Sequence, residues 1–121
     1  MPQMIKTGGG LFSKGELLRI NPSTNTIEVS TNEGRSWSQR CVNSSYGTFR
    51  DLLVFGREIL AATTRGLYVS TNAARSFSPR CVSNSSYGDF LNLQADGNTL
   101  LANTTRGLYY STNGGRGWMR R

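Results

Sequence analysis

Apolar residues along this chain gather in short runs of strand length, and no window places them at i, i+3, i+4, i+7 over the length of a helix. The clearest runs lie mid-chain, at Phe49 to Phe55, Glu58 to Thr64, Leu67 to Thr71 and Ser76 to Cys81. Gly56-Arg57, Arg65-Gly66 and Asn72-Ala73-Ala74 separate them, turn-forming breaks between β-branched and aromatic stretches. A second such set follows at Phe90 to Ala95, Thr99 to Thr105, Leu108 to Thr112 and a stub from Gly117, with Asp96-Gly97-Asn98 as a strong hairpin signal. The pattern predicts an all-β chain of antiparallel meanders, each strand pairing with the next.

The pattern is also periodic. Ser111-Thr112-Asn113-Gly114-Gly115-Arg116-Gly117-Trp118 has close copies at Ser30 to Trp37 and at Ser70 to Phe77, spaced 40 and 41 residues apart. That is the scale of one small β-sheet module. The chain therefore reads as a single repeat domain, 1–121, with repeats of about 1–46, 47–87 and 88–121. Thr63-Thr64-Arg65-Gly66-Leu67-Tyr68 returns as Thr104 to Tyr109, whereas the divergent first repeat has Asn25-Thr26-Ile27-Glu28 in place of Arg-Gly-Leu-Tyr and opens with Gly8-Gly9-Gly10. The third repeat stops three residues after Trp118, so its outer strand should be short. We expect the segment Gln3 to Thr7, from the same chain or a partner, to complete it and hide an edge.

Each octet has a local physical logic. Asn32, Asn72 and Asn113 sit where the chain leaves a strand, and a side-chain amide there can cap the backbone of the following turn. Gly34 and Gly115 supply a position where φ can be positive without a Cβ penalty, and Ala73-Ala74 in the second copy predicts a less relaxed turn or a different turn type. Ser30, Ser70 and Ser111 open the octets, and Trp37, Phe77 and Trp118 close them by starting the next strand. These octets resemble the Asp-box, or bacterial neuraminidase repeat, Ser-x-Asp-x-Gly-x-Thr-Trp, with Asn replacing Asp in every copy. Gly66-Leu67-Tyr68 and Gly107-Leu108-Tyr109 look like the strand leading into that hairpin in sialidases, sortilin-type receptors, xyloglucan-cleaving hydrolases and photosystem assembly factors.

The resemblance implies a β-propeller in which the box is a structural hairpin at the blade periphery, carrying fold and not activity. Propellers usually have about four to eight blades. Three four-stranded blades per chain then imply closure by homo-oligomerisation, as a six-bladed dimer about a twofold axis. A β-trefoil, which matches three repeats of this length and closes as a monomer, is the alternative.

Composition narrows the function. The chain has 121 residues, 36% of them hydrophobic and 17% charged, which suits one globular domain. Fourteen Lys and Arg against seven Asp and Glu give a formal net charge of +7, and lysine occurs only at Lys6 and Lys14. This balance favours acidic partners: an anionic glycan, an acidic protein face or nucleic acid. Cys41 and Cys81 occupy equivalent places in successive repeats, about 10 Å apart if the modules pack as sheet layers. A disulfide needs Cα atoms within about 7 Å, so both should be thiols. With no apolar leader or membrane span in the sequence, we expect a cytoplasmic protein without a membrane partner.

Catalytic constellations are scarce. Histidine is absent, which removes Ser-His and Cys-His pairs and the commonest metal ligand, so neither a metal nor a cofactor is expected. Glycoside hydrolysis of the sialidase kind needs carboxylates facing one bond. Only Asp51 and Asp89 lie on or beside predicted inner strands, and a non-catalytic binding module is the favoured reading. Arg65 and Arg106, each before Gly-Leu-Tyr, are the leading ligand-binding candidates because guanidinium forks suit carboxylate, sulfate and phosphate. Tyr68 and Tyr109 could stack on a sugar or base, and Arg50 and Asp51 join the candidates on the inner strand of the second repeat. Arg40 and Arg80, and the turn set Arg35, Arg75 and Arg116, are further repeated charges. A protein-interaction or assembly module with nucleic-acid affinity is the second reading, and a sialidase-like glycoside hydrolase the third.

Overall fold

The computed structural model describes residues 5–7, 16–41, 46–55, 58–72, 74–82 and 87–121. Twelve strands form three four-stranded antiparallel sheets in strict chain order. The first holds β1 (Ile5–Thr7), β2 (Glu16–Asn21), β3 (Thr26–Ser30) and β4 (Ser38–Cys41). The second holds β5 (Phe49–Phe55), β6 (Glu58–Thr63), β7 (Gly66–Ser70) and β8 (Ser78–Val82). The third holds β9 (Phe90–Asp96), β10 (Thr99–Thr104), β11 (Gly107–Ser111) and β12 (Met119–Arg120). No α-helix occurs among the described residues.

Every strand pairs with its sequence neighbour and never with a strand of another repeat. That excludes the trefoil, in which the repeats share one barrel. The N-terminal segment also departs from expectation: Ile5 to Thr7 pairs with Leu18 to Glu16 as the first strand of the first sheet, and β12 is left short. The first sheet needs an inner strand of its own, and this segment supplies it. Gly8-Gly9-Gly10, Gln3, the Gly56-Arg57 turn and Ala73 lie outside the described residues.

The sheets stack face to face, and burial follows position in the stack. In the second sheet both faces are covered, so β6 from Ile59 to Thr63 is buried at every position, although its strands are antiparallel. In the third sheet β10 alternates, with Leu100, Ala102 and Thr104 buried and Leu101 and Asn103 not. One core, including Leu18, Ile20, Ile27, Phe49, Leu52, Ala61 and Phe77, joins the first sheet to the second. Another, including Leu60, Ala62, Leu67, Phe90, Leu93, Leu100 and Trp118, joins the second to the third.

A single carboxylate stitches two inner strands together. Arg50 and Leu91 are the extra residues at matching register breaks in β5 and β9. Just past the first break, Asp51 is only 3% exposed and accepts backbone N–H bonds from Leu52 at 3.0 Å and, across the sheet boundary, from Leu93 at 2.9 Å. A buried carboxylate held by amide donors is costly to leave unpaired, so this contact fixes how the sheets register.

Leu67 lies at the centre of the second core, fully buried with Gly115 of the third sheet against its Cδ2. Leu67→Ala is expected to cost about 2–5 kcal/mol, the range for a buried leucine that leaves a cavity. Urea titration at one fixed protein concentration measures it.

Candidate functional site

Two repeated constructions dominate the surface, one at each end of the strands. At one end lie the octet hairpins between the third and fourth strands of each sheet. Ser30, Ser70 and Ser111 donate through Oγ to Asn32, Asn72 and Asn113 Oδ1 at 2.9, 2.8 and 2.8 Å. The same serine oxygens accept from the N–H of Gly34, Ala74 and Gly115 at 2.8, 2.9 and 2.9 Å. Each asparagine Oδ1 then accepts a second bond, from the backbone N–H of Ser36, Ser76 or Gly117. Trp37 and Trp118 close their turns by donating Nε1–H to the carbonyls of Gly34 and Gly115.

The amide carbonyl thus does the capping without an anionic charge. Ala74 adopts φ 69° where Gly34 and Gly115 have 92° and 91°, so the second copy keeps the same turn and carries the Cβ penalty. The octet serines and asparagines bond within their own hairpins. Arg75 and Arg116 donate to the Asn72 and Asn113 carbonyls of their own turns.

At the other end lie the turns between the second and third strands. Thr63 Oγ1 donates to the Gly66 carbonyl and accepts from the Arg65 N–H, both at 3.0 Å, and Thr104 repeats this with Gly107 and Arg106 at 3.0 Å. These bonds pull Gly66 and Gly107 into the strands, with φ of 130° and 121°. The turn residues are therefore Thr64-Arg65 and Thr105-Arg106, one position earlier than the breaks read from sequence. Each turn docks on the start of its own inner strand: Thr64 exchanges two 3.0 Å bonds with Thr48, and Thr105 two with Asp89. A Cβ on Gly47 or Gly88 would overlap the hydroxyls of Thr64 or Thr105, so only glycine fits beneath the turns. In the first sheet Asn25 stands where the others have arginine, and it bonds across to the second sheet, donating to Gly47 O at 3.0 Å and accepting from Phe49 N at 2.8 Å.

This end carries an arginine rim. Arg65 and Arg106 are exposed and make no ion pair among the described residues. Arg50, displaced outward by the register break, reaches toward Asp89 with Nη1 3.7 Å from Oδ2, and that buried nitrogen has no hydrogen bond. Asp51 is beside it in sequence but engaged between the inner strands.

The other predicted residues are packed elsewhere. Tyr109 is 7% exposed with its ring 5.6 Å from Tyr87, and the Tyr68 ring lies tilted 5.3 Å from Tyr46, so both serve the core between sheets. Arg40 and Arg80 form two-pronged ion pairs with Glu16 and Glu58, closest contacts 2.7 and 2.6 Å, tying fourth strands to second strands. Arg80 additionally donates to the Gly114 carbonyl of the third sheet at 2.8 Å. Cys41 and Cys81 are free, and burial pushes the Cys81 thiol above its ordinary pKa.

Sequence reasoning missed one cluster. Arg19 lies 4.0 Å above the Trp37 ring and bonds Glu28 at 2.8 Å, on the face of the first sheet turned away from the second. By register, Arg19 and Glu28 occupy the positions of Ala61 and Tyr68. The signal available was the departure of Glu28 from the Gly-Leu-Tyr pattern. The Arg19 hydrogen bond holds the Glu28 carboxyl below its usual pKa, against a smaller upward push from burial.

No group of three or more metal-ligating side chains occurs among the described residues. Among the described residues, no helix is long and apolar enough to cross a membrane.

Three successive four-stranded meanders stacked on their inner strands define a β-propeller segment. A solved structure agrees: YCF48 bound to a D1 peptide, a β-propeller, superposes with a TM-score of 0.63 at 18% identity, over 88% of this chain and 36% of that one. The chain thus spans about a third of that neighbour's length. No family model and no curated protein matches the sequence.

Ser70→Ala removes the acceptor for the buried Ala74 N–H and the donor to Asn72, and should cost about 1–3 kcal/mol in denaturant titrations. Glu28 has a lowered folded pKa, so its contribution is present above the unfolded carboxylate range and is lost as pH falls through the folded value. Glu28→Gln should therefore lose less stability than the parent chain between neutral pH and pH ~3, a difference read from paired denaturation curves.

Proposed function

We propose that this chain is a non-catalytic binding module of the Asp-box propeller type whose arginine rim takes acidic ligands, either a glycan bearing carboxylate or sulfate or an acidic peptide segment. The observation that carries this is the repetition of one device. Arg65 and Arg106 sit in the same threonine-closed turn of adjacent sheets, exposed and without an acid partner among the described residues. Arg50 lies at the same end, its charge partly met by Asp89 at 3.7 Å. Cations that fold-stabilising bonds do not consume are available to a ligand, whereas Arg40 and Arg80 are consumed. The solved YCF48 propeller holds a D1 peptide, which supports a peptide as one ligand class.

Ring closure belongs to this reading. Two copies about a twofold axis would give six blades and bring four turn arginines to one rim. The two free thiols suit a cytoplasmic setting. A second reading, an assembly module with nucleic-acid affinity, draws on the net charge of +7.

Arg65→Ala with Arg106→Ala should weaken binding to acidic glycans on an array, or to an acidic peptide, by about tenfold or more while circular dichroism stays unchanged, in line with loss of charge-assisted bonds. Undiminished binding by the folded double variant would place the site elsewhere. Binding that ignores sugar identity and falls steeply with salt on DNA or RNA would favour the second reading.

A further inference from the structure

The two end sheets each leave one face uncovered, and the sheet boundaries within the chain show what would cover it. On the third sheet the open face presents Asn92, Gln94, Leu101, Asn103, Leu108 and Tyr110. By register these are the counterparts of Asp51, Leu53, Leu60, Ala62, Leu67 and Val69, the face of the second sheet that the third one covers. Of these Leu108 is 38% exposed, and beside them Leu91 and Met119 are 39 and 59% exposed. On the first sheet the open face carries Leu17, Arg19, Glu28, Gly34 and Trp37, the counterparts of Leu100, Ala102, Tyr109, Gly115 and Trp118. Those third-sheet residues are what seats on the second sheet, with Gly115 against Leu67 and Trp118 6% exposed.

From this correspondence we infer that the third sheet of one copy receives the first sheet of a second copy, Gly34 and Trp37 of the incoming chain lying over Leu101 and Leu108. The inference rests on the self-association read above and names its contact surfaces. What points to a second copy of this chain, and not an unrelated apolar partner, is that the two open faces depart from the repeat in matching ways. Ala62 and Ala102 share one core between the second and third sheets. On the open faces their counterparts are Asn103 and Arg19, so a polar position meets a polar position. Leu101 and Leu108 keep the apolar character of Leu60 and Leu67, and Trp37 keeps that of Trp118. The two faces lie on opposite sides of the chain, and each core joins only consecutive sheets. They therefore meet between molecules, head to tail, and close a ring when the rotation allows. With polar residues at its centre, this seam is weaker than the boundaries inside the chain.

The test is sedimentation or light-scattering mass from about 1 to 100 µM, alongside a cross-link. The expected result is a two-chain species that dissociates on dilution and whose dissociation constant rises by roughly tenfold or more in Leu108→Glu, as for loss of a buried anchor. In a Cys41→Ala/Cys81→Ala background, Gly34→Cys with Leu108→Cys should oxidise to an intermolecular disulfide, since their counterparts Gly115 and Leu67 are in contact. Ala74 shows that a side chain is tolerated at the Gly34 position of the turn. A single-chain mass at every concentration overturns both the seam and self-association. A dimer indifferent to Leu108→Glu that fails to cross-link overturns the seam alone, and a larger closed species that does cross-link supports the seam.

Discussion

A β-sheet has two faces, and an apolar face left in water costs roughly 25 cal/mol for each Å² that a neighbour would have covered. In this molecule that constraint is met by stacking one sheet on the next, and the rest of the structure depends on it. The middle sheet, covered on both sides, tolerates Leu, Ile and Ala at consecutive positions of β6. The end sheets cannot, and their outward positions carry Arg19, Glu28, Gln94 and Asn103 in place of the Ala, Tyr and Leu that the repeat would dictate. The octets and threonine-closed turns only set the edges of each sheet. The faces decide how many sheets must come together.

Much of this was legible in the chain. The strand run Phe49–Phe55 is found at its expected bounds, and most others lie within two residues of them, because strong turn residues punctuate each run. The capping role of Asn32, Asn72 and Asn113 followed from their place after a strand, and the hydrogen bonds repeat in all three copies. The positive φ at Gly34 and Gly115 likewise follows from the octet pattern, whereas Ala74 keeps the same turn where a less relaxed or different turn was expected. What the pattern could not carry was partnership at a distance. Nothing local distinguishes Arg80, bound to Glu58 22 residues earlier, from the exposed Arg65. Nor does the sequence of Ile5-Lys6-Thr7 announce whether it will pair within the first sheet or complete the third; that is decided by which sheet lacks an inner strand.

The candidate site was legible as residues more than as geometry. Arg65 and Arg106 were singled out by repetition, and the structure explains the repetition: a threonine two residues earlier closes the turn, and a glycine lies beneath it. Tyr68 and Tyr109 were equally repeated, yet their rings fill the space between sheets beside Tyr46 and Tyr87. Repetition alone therefore does not separate an exposed residue from a packing one. Exposure follows from which face of which sheet a register position occupies.

Asp51 has one more consequence. Its carboxylate holds an amide of its own strand and an amide of the next sheet, so the inner strands of two modules share a single acceptor. A linear array of modules joined by such nearest-neighbour links behaves like a one-dimensional chain of coupled switches. In a single chain with that seam open, loss of order should then begin at the end modules, each held by one boundary, and reach the doubly held middle module last.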